Sequence, residues 1–273
     1  MCSRAGVSPE SPDFYALVDV LLKSSAINLH GFYGHAGNAY ASTSLSEASK
    51  FLSGEVAAVN DAARAALELI SHSTPSATLT QPFILSVGST PTAHAASMET
   101  RKTLSQVLHG TLELHAGNYP MLDLQQQHTM LIDRTRISQR VQATVVSYYP
   151  GRGTDGTDEA LIDAGAIAFS KDTGPSGGYG DVIGHPWQLS RISQEHGILT
   201  RTDKSNESLK VGMLVDIVGQ HACLTAAVCN LLTITFLIID CNTFLEAYPW
   251  YYIVDGEEDG TKVVDIWVPW KGW

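Results

Sequence analysis

Residues 83–92 read FILSVGSTPT and divide into an apolar half and a half rich in hydroxyl groups. The apolar half, Phe83–Val87, is short and ends at a glycine, which is typical of a buried strand. The second half offers backbone amides and hydroxyls that suit a phosphate group. We therefore predict a strand that ends in a binding loop, although the same residue types are also common in plain turns.

Two neighbouring segments repeat this pattern of a strand followed by a glycine loop. Ile27–Tyr33 alternates apolar and other residues before the loop Gly34–Asn38, and Thr111–Leu114 precedes Ala116–Asn118. Between the first two strands, Ser44–Ile70 combines a capping-box start with apolar residues at helical spacing. This alternation predicts parallel βα units, whose loops at the carboxyl ends of the strands meet on one face.

The second half of the chain has a different pattern, of short strand-like runs separated by Gly, Pro and Asp. The runs are Arg140–Tyr149, Ala160–Phe169, Gln188–Ser193, Leu214–Val218, Tyr251–Val254 and Lys262–Trp267. We predict an α/β plus β chain, with a partial, truncated TIM-type βα barrel at residues 1–133 and a β-rich domain at residues 134–273. The barrel is expected to be partial because three or four strands are found where a closed barrel needs eight.

Composition excludes several classes of function. The net charge of −11, without a basic stripe, argues against a nucleic-acid partner. The start of the chain lacks the pattern of a signal peptide. The apolar run Leu231–Ile239 is too short to span a bilayer, which takes roughly 20 residues. We therefore expect a cytoplasmic protein with no membrane partner.

His221-Ala222-Cys223 follows the predicted strand Leu214–Val218. On an extended backbone, residues two apart point to the same side, so an imidazole and a thiolate would converge on a metal. These ligand types favour zinc, and two ligands leave positions open for substrate. The alternative is a core histidine beside a small buried cysteine, which is the commoner case for an isolated pair of this spacing.

Seven segments, in the same order along the chain, resemble one family. They are RAGV at Arg4–Val7, HGFYGHAGNAY at His30–Tyr40, SVGSTPT at Ser86–Thr92, ELHAGNY at Glu113–Tyr119, QEHG at Gln194–Gly197, HAC at His221–Cys223 and the stretch Tyr251–Gly272. With them the chain is similar to the D-serine dehydratases, which are alanine-racemase-type (fold type III) pyridoxal-phosphate enzymes related to D-threonine aldolase. The resemblance implies a cofactor-binding barrel followed by a β domain with a metal close to the cofactor.

The resemblance also implies roles for individual residues. Five would bind pyridoxal 5'-phosphate: Tyr33 and Tyr40 near the cofactor, and Thr90, Gly117 and Asn118 at its phosphate. His221 and Cys223 would bind Zn²⁺, and His35 would face the cofactor ring.

The implied activity converts D-serine to pyruvate and ammonia. D-Threonine is a further candidate substrate, and a homodimer is the implied assembly. Cys223 favours the dehydratase, because the aldolase branch has an oxygen ligand at that position. A D-threonine-aldolase-like lyase and a non-catalytic remnant that binds metal or cofactor are the alternatives.

The sequence departs from the family in two places. No lysine has the basic, His-rich context of the family's Schiff-base lysine, so no catalytic residue is assigned. About twenty residues intervene at Val228–Tyr248, which we interpret as a retained intron, a gene-model error or a lineage-specific loop.

From the first departure we predict that this polypeptide has little or no lyase activity. The purified chain, mixed with pyridoxal phosphate, should lack the visible absorbance of a lysine-bound cofactor, because no lysine is positioned to form the imine. The measurement is an absorbance spectrum before and after gel filtration. A full complement of lysine-bound cofactor would contradict the prediction.

Overall fold

The structure is a computed structural model that describes residues 5–73, 82–96, 108–175, 177–205, 207–228, 232–235, 251–255 and 262–268. The chain divides into two compact units, Met1–Gly117 and Asn118–Trp273. The predicted insertion and the apolar run within it lie largely outside the described residues. No helix in the described part of the chain combines the length and the apolar character needed to cross a membrane.

The first unit contains a three-stranded parallel sheet covered by helices. Its elements are α1 (Pro12–Lys23), β1 (Gly31–Gly34), a 3₁₀ turn (Gly37–Ala41), α2 (Leu45–Ser73), β2 (Phe83–Val87), α3 (Thr90–His94) and β3 (Gly110–Leu114). The strand order is β1-β2-β3, and both pairings are parallel. The predicted parallel βα units are therefore present. Three parallel strands do not establish a barrel, so the partial, truncated TIM-type barrel stays a prediction.

Helix α2 covers one face of this sheet. Leu52, Val56 and Ala63 are buried in the same apolar cluster as Phe83 and Leu85 of β2. This is the apolar face that the sequence spacing indicates, since every third or fourth residue of a helix lies on one side. Helix α1, which was not predicted from the sequence, adds the buried side chains of Phe14 and Val18 to this cluster.

The start of α2 differs in one detail from the predicted capping box. The backbone N–H of Glu47 donates to Ser44 Oγ at 3.2 Å, as the pattern requires. The Glu47 carboxylate, however, accepts from the backbone N–H of Thr43 at 2.8 Å and not from that of Ser44. The acceptor is still Glu47, and the donor is one residue earlier in the chain than the capping box predicts.

The second unit contains a closed antiparallel barrel. Its elements are α4 (Leu124–His128), a 3₁₀ turn (Arg134–Arg136), β4 (Gln139–Tyr149), β5 (Glu159–Ile162), α5 (Ala166–Phe169), β6 (Gly180–Val182), β7 (Trp187–Ile192), β8 (Gly197–Arg201), β9 (Leu214–Gly219), α6 (Ala222–Val228), β10 (Leu232–Thr235), β11 (Tyr251–Val254) and β12 (Val263–Trp267). Six of the described strands pair in the order β4-β5-β8-β7-β6-β9, and β9 pairs back to β4. The remaining three extend from β4 in the order β10-β11-β12.

The barrel interior is filled by alternate residues of the strands. Along β4, Val141, Ala143 and Val145 are buried while their neighbours are more exposed. Ile162, Leu189, Leu199, Ile217 and Trp187 belong to the same cluster. Alternation of this kind is the consequence of the two-residue period of a strand, and it confirms the predicted β-rich second half.

One predicted strand, Ala160–Phe169, is wrong in its second half. β5 ends at Ile162, and α5 occupies Ala166–Phe169. A Cβ on Gly165 would lie 2.6 Å from the backbone N of His196, so this position is packed tightly against the turn between β7 and β8. The backbone N–H of Ala166 donates to Ser193 O at 2.7 Å, which turns the chain away from the sheet. The short strands β6 and β8 were not predicted.

We predict that Gly88→Ala destabilises the first unit. Gly88 has φ +117°, and a Cβ there would lie 2.7 Å from the carbonyl oxygen of His115. A residue held in this region of backbone space costs about 1–3 kcal/mol, and the contact with rigid backbone adds to that. The measurement is the free energy of unfolding from urea titration.

Gly54→Ala is the matched control, because Gly54 lies within α2 and has no atom within 4 Å of its Cβ position. We expect this change to stabilise the chain by about 1 kcal/mol. Equal effects of the two substitutions would contradict the described conformation of Gly88.

Candidate functional site

The loop after β1 carries a cluster of aromatic rings. Tyr33 lies on β1 with 66% of its surface exposed. Its ring is stacked on that of His35, with centroids 6.3 Å apart and planes at 5°. Tyr40, in the 3₁₀ turn, has its ring centroid 6.5 Å from that of His35. The structure thus brings together three residues from the segment His30–Tyr40, and their rings offer a surface on which a planar aromatic cofactor can stack.

The loop after β2 is held firmly to this aromatic cluster. The ring nitrogen Nδ1 of His35 lies 3.2 Å from the carbonyl oxygen of Gly88. At the start of α3, the backbone N–H of Ser89 donates to Thr92 Oγ1 at 2.8 Å. Thr90, the first residue of α3, is buried. The loop predicted to bind phosphate is therefore ordered by its own hydroxyl groups, and Thr90 lies at its centre.

A buried carboxylate on α2 ties the first loop to the helix behind the sheet. Glu55 is 5% exposed, and its Oε1 accepts a hydrogen bond from the backbone N–H of Ala36. Burial raises the pKa of Glu55 above its ordinary value, and the hydrogen bond from Ala36 only partly offsets this. The sequence analysis missed Glu55, because a single acidic residue on a helix gives no signal that it faces inward.

Strand β3 contributes further polar groups that the sequence analysis did not single out. His115 Nε2 lies 3.0 Å from Glu113 Oε1 and also contacts Ser86 Oγ of β2. The ring of His115 packs edge-on against Tyr33, with centroids 5.9 Å apart. His115 thereby joins the aromatic cluster. His115 could have been found from the sequence, because it lies in the segment Glu113–Tyr119 that resembles the family. Gly117, two residues further on, ends the first unit.

Asn118 begins the second unit and is buried. Its side-chain Nδ2 donates to the carboxylate of Asp123, which is also buried. The same carboxylate accepts from the backbone N–H of Gln126 at 2.8 Å and from that of Ala222 at 2.7 Å. Burial raises the pKa of Asp123, while the two backbone N–H groups lower it. The Asn118 side chain is thus engaged with protein, and its role at a phosphate stays a prediction.

The backbone of His221-Ala222-Cys223 is not extended, which corrects the premise of the sequence analysis. β9 ends at Gly219 and α6 begins at Ala222. The backbone N–H of Thr225 donates to the His221 carbonyl at 2.9 Å, as in the first turn of a helix. The physical reason is the Asp123 carboxylate, which accepts the otherwise unpaired N–H of Ala222 and so fixes the start of the helix.

His221 and Cys223 nevertheless remain a candidate pair of metal ligands. His221 lies before the first residue of the helix, so the helical repeat does not fix the direction of its side chain relative to that of Cys223. The Cys223 side chain is half-buried. His221 Nδ1 lies 2.9 Å from Asp172 Oδ2. Ligating histidines commonly hold a carboxylate in this way, and an imidazole with a thiol suits zinc. Within the described residues, no group of three or more His, Cys, Asp or Glu is positioned to hold a metal.

Comparison with known proteins agrees with the resemblance to the D-serine dehydratases. Residues 138–235 match the family described as "Putative serine dehydratase domain". The chain is 40% identical over 274 residues to the D-serine dehydratase of Schizosaccharomyces pombe, an alignment that covers 99% of this chain and 58% of that protein.

Three solved structures share the fold. D-threo-3-hydroxyaspartate dehydratase from Delftia sp. HT23 is 27% identical with a TM-score of 0.69, over 99% of this chain and 63% of that chain. A cysteine-to-alanine mutant of a D-threo-3-hydroxyaspartate dehydratase, solved in the metal-free form, is 26% identical with a TM-score of 0.69, over 100% of this chain and 64% of that chain. An alanine-racemase-like protein from Idiomarina loihiensis is 24% identical with a TM-score of 0.66, over 100% of this chain and 63% of that chain.

The chain spans 58 to 64% of the length of these relatives. Its identity to the yeast enzyme, the matched domain that contains His221 and Cys223, and the alanine-racemase-like fold agree with one another. The resemblance found in the sequence is confirmed: over almost its whole length the chain is similar to the D-serine dehydratases, and it contains the segment that matches the serine dehydratase domain.

Proposed function

We propose that this chain supplies the metal site and the phosphate-binding loops of a lyase that dehydrates D-serine. The observation that carries the proposal is the His221 ring, paired through Nδ1 with Asp172 and followed two residues later by the half-buried Cys223 thiol. This arrangement presents one imidazole nitrogen and one sulfur at the end of β9, and it lies within the matched dehydratase domain.

Zinc is the metal that these donors fit best. Thiolate and imidazole are softer ligands than the carboxylates that magnesium prefers. The metal-free form of a cysteine-to-alanine mutant of a similar D-threo-3-hydroxyaspartate dehydratase supports a cysteine ligand. When bound, zinc supplies a Lewis acid that makes the β-hydroxyl of the substrate a better leaving group.

The residues of the first unit fit pyridoxal phosphate. Tyr33, His35 and Tyr40 form an aromatic cluster against which a pyridine ring would pack, and the loop Gly88–Thr92 presents amides and hydroxyls nearby. When bound, pyridoxal phosphate withdraws electrons from the α-carbon of the substrate. The aromatic rings would orient the cofactor, and Thr90 with Gly117 would hold its phosphate. That the metal lies within reach of the cofactor also stays a prediction.

The proposed reaction is a balanced elimination. D-Serine loses its α-proton and its β-hydroxyl, which leave together as water. Hydrolysis of the released enamine takes up one water and gives pyruvate and ammonia. The substrate class is a D-amino acid with a β-hydroxyl group, to which D-threonine also belongs. A homodimeric assembly and a cytoplasmic location remain predictions.

We predict that the purified chain binds Zn²⁺ through His221 and Cys223. Removal of either ligand, in His221→Ala or Cys223→Ala, should lower zinc affinity by more than the roughly 10- to 100-fold that is typical of losing an outer-shell partner of a metal ligand. The measurement is competition with a chromophoric chelator, using zinc alone and no cofactor.

Cys229→Ala makes the same thiol-to-methyl change at another position and is the control for Cys223→Ala. We expect it to bind zinc as the wild type does. If wild type fails to bind zinc, or if Cys223→Ala and Cys229→Ala bind it equally, the proposed metal site is wrong.

Tyr33→Ala should weaken non-covalent binding of pyridoxal phosphate. Loss of one aromatic contact of about 0.5–1.5 kcal/mol corresponds to about a 2- to 10-fold increase in Kd. Quenching of tryptophan fluorescence by the cofactor gives the affinity. Tyr33→Phe keeps the ring and should bind like wild type, whereas a loss in Tyr33→Phe equal to that in Tyr33→Ala would assign the effect to the hydroxyl group and not to stacking.

A further inference from the structure

Asp172 comes from a loop that lies far from His221 in sequence but close to it in the barrel. The loop follows α5 and leads into β6, whereas His221 follows β9. β6 and β9 pair in antiparallel register, with Gly180 opposite Gly219. The chain before β6 therefore runs beside the chain after β9, and this brings Asp172 Oδ2 to 2.9 Å from His221 Nδ1.

The contact determines which nitrogen of the His221 ring carries the proton. An ionised carboxylate can only accept hydrogen bonds, so the Nδ1 atom facing Asp172 must be the donor. In a neutral ring, the other nitrogen, Nε2, then holds the lone pair. A metal binds through that lone pair, so the tautomer selected by Asp172 is the one that leaves Nε2 available.

The loop that carries Asp172 is fixed by packing on both sides of this contact. A Cβ on Gly174 would lie 2.6 Å from Gln220 Oε1 and 2.8 Å from His128 Cε1, so the loop approaches as closely as a glycine allows. Gln220 also contacts this loop a second time, because its Nε2 donates to Gly178 O at 3.4 Å. Asp172 is thus held next to the residue that precedes His221.

We propose that Asp172 is a positioning residue, which holds His221 with Nδ1 protonated so that Nε2 is presented to the metal. This inference rests on the proposed zinc site. Asp172 acts through His221, and the two side chains are 41% and 22% exposed, so replacement of Asp172 leaves no fully buried group without a partner.

The first test compares zinc affinity in Asp172→Asn and wild type. The asparagine side chain is nearly the same size, but its neutral amide can donate to Nδ1 and so favours a proton on Nε2, where it blocks the metal. We expect zinc affinity to fall about 10- to 100-fold. Asp155→Asn removes the same charge from an exposed residue in the loop between β4 and β5 and should bind zinc like wild type.

The second test reads the tautomer directly in the metal-free protein. Long-range ¹H–¹⁵N spectra at alkaline pH, where a free imidazole is neutral, distinguish the two protonated nitrogens. We expect the Nδ1–H form in wild type and a shift toward Nε2–H in Asp172→Asn. An assignment of the His221 signals follows from their loss in His221→Ala.

The outcomes separate this inference from the proposed function. If wild type binds zinc but Asp172→Asn binds it equally tightly, or if metal-free wild type carries its proton on Nε2, the role of Asp172 is overturned and the zinc site stands. If wild type binds no zinc, the proposed function itself fails. Thermal unfolding of Asp172→Asn at the wild-type temperature shows that a loss of affinity is not a loss of folding.

Discussion

The position of the candidate metal ligands His221 and Cys223 depends on the hydrogen bonds of the buried Asp123 carboxylate. A charge inside a protein is costly unless hydrogen bonds surround it. Asp123 receives them from the Asn118 side chain and from the backbone N–H groups of Gln126 and Ala222. One group thus begins α4 and α6 together, and the start of α6 sets the positions of His221 and Cys223. The chemistry proposed for the second unit depends on this single polar junction.

In the first unit, other polar groups fix the loops that carry the candidate cofactor-binding residues. Its parallel strands place their loops at one edge of the sheet, and Glu55 and the His35–Gly88 contact hold those loops against the helix and against each other. Functional groups in proteins are commonly carried by loops on a rigid scaffold. Here the scaffold consists of β1, β2 and α2, and the aromatic rings of Tyr33 and His35 stand exposed above it.

The sequence was sufficient where a periodic pattern was strong. β2, α2 and β11 follow from apolar spacing, with a glycine after β2 and a capping box at the start of α2, and the structure has them where they were predicted. It was insufficient where a distant contact overrides the local pattern. Gly165 turns the chain because it meets His196, and Ala222 begins a helix because Asp123 accepts its N–H. Asp172 could not be found for the same reason, since only the β6–β9 pairing brings it to His221.

Closure of the six-stranded barrel determines how readily the strand that carries His221–Cys223 opens. β9 has a neighbour on each edge, β4 and β6, so its amides exchange with solvent only when the barrel opens. The segment is attached to the end of that strand and so to a part of the unit that opens late. His221 and Cys223 lie beyond Gly219, the last residue of β9, so a substitution at either position removes no residue from the barrel strands.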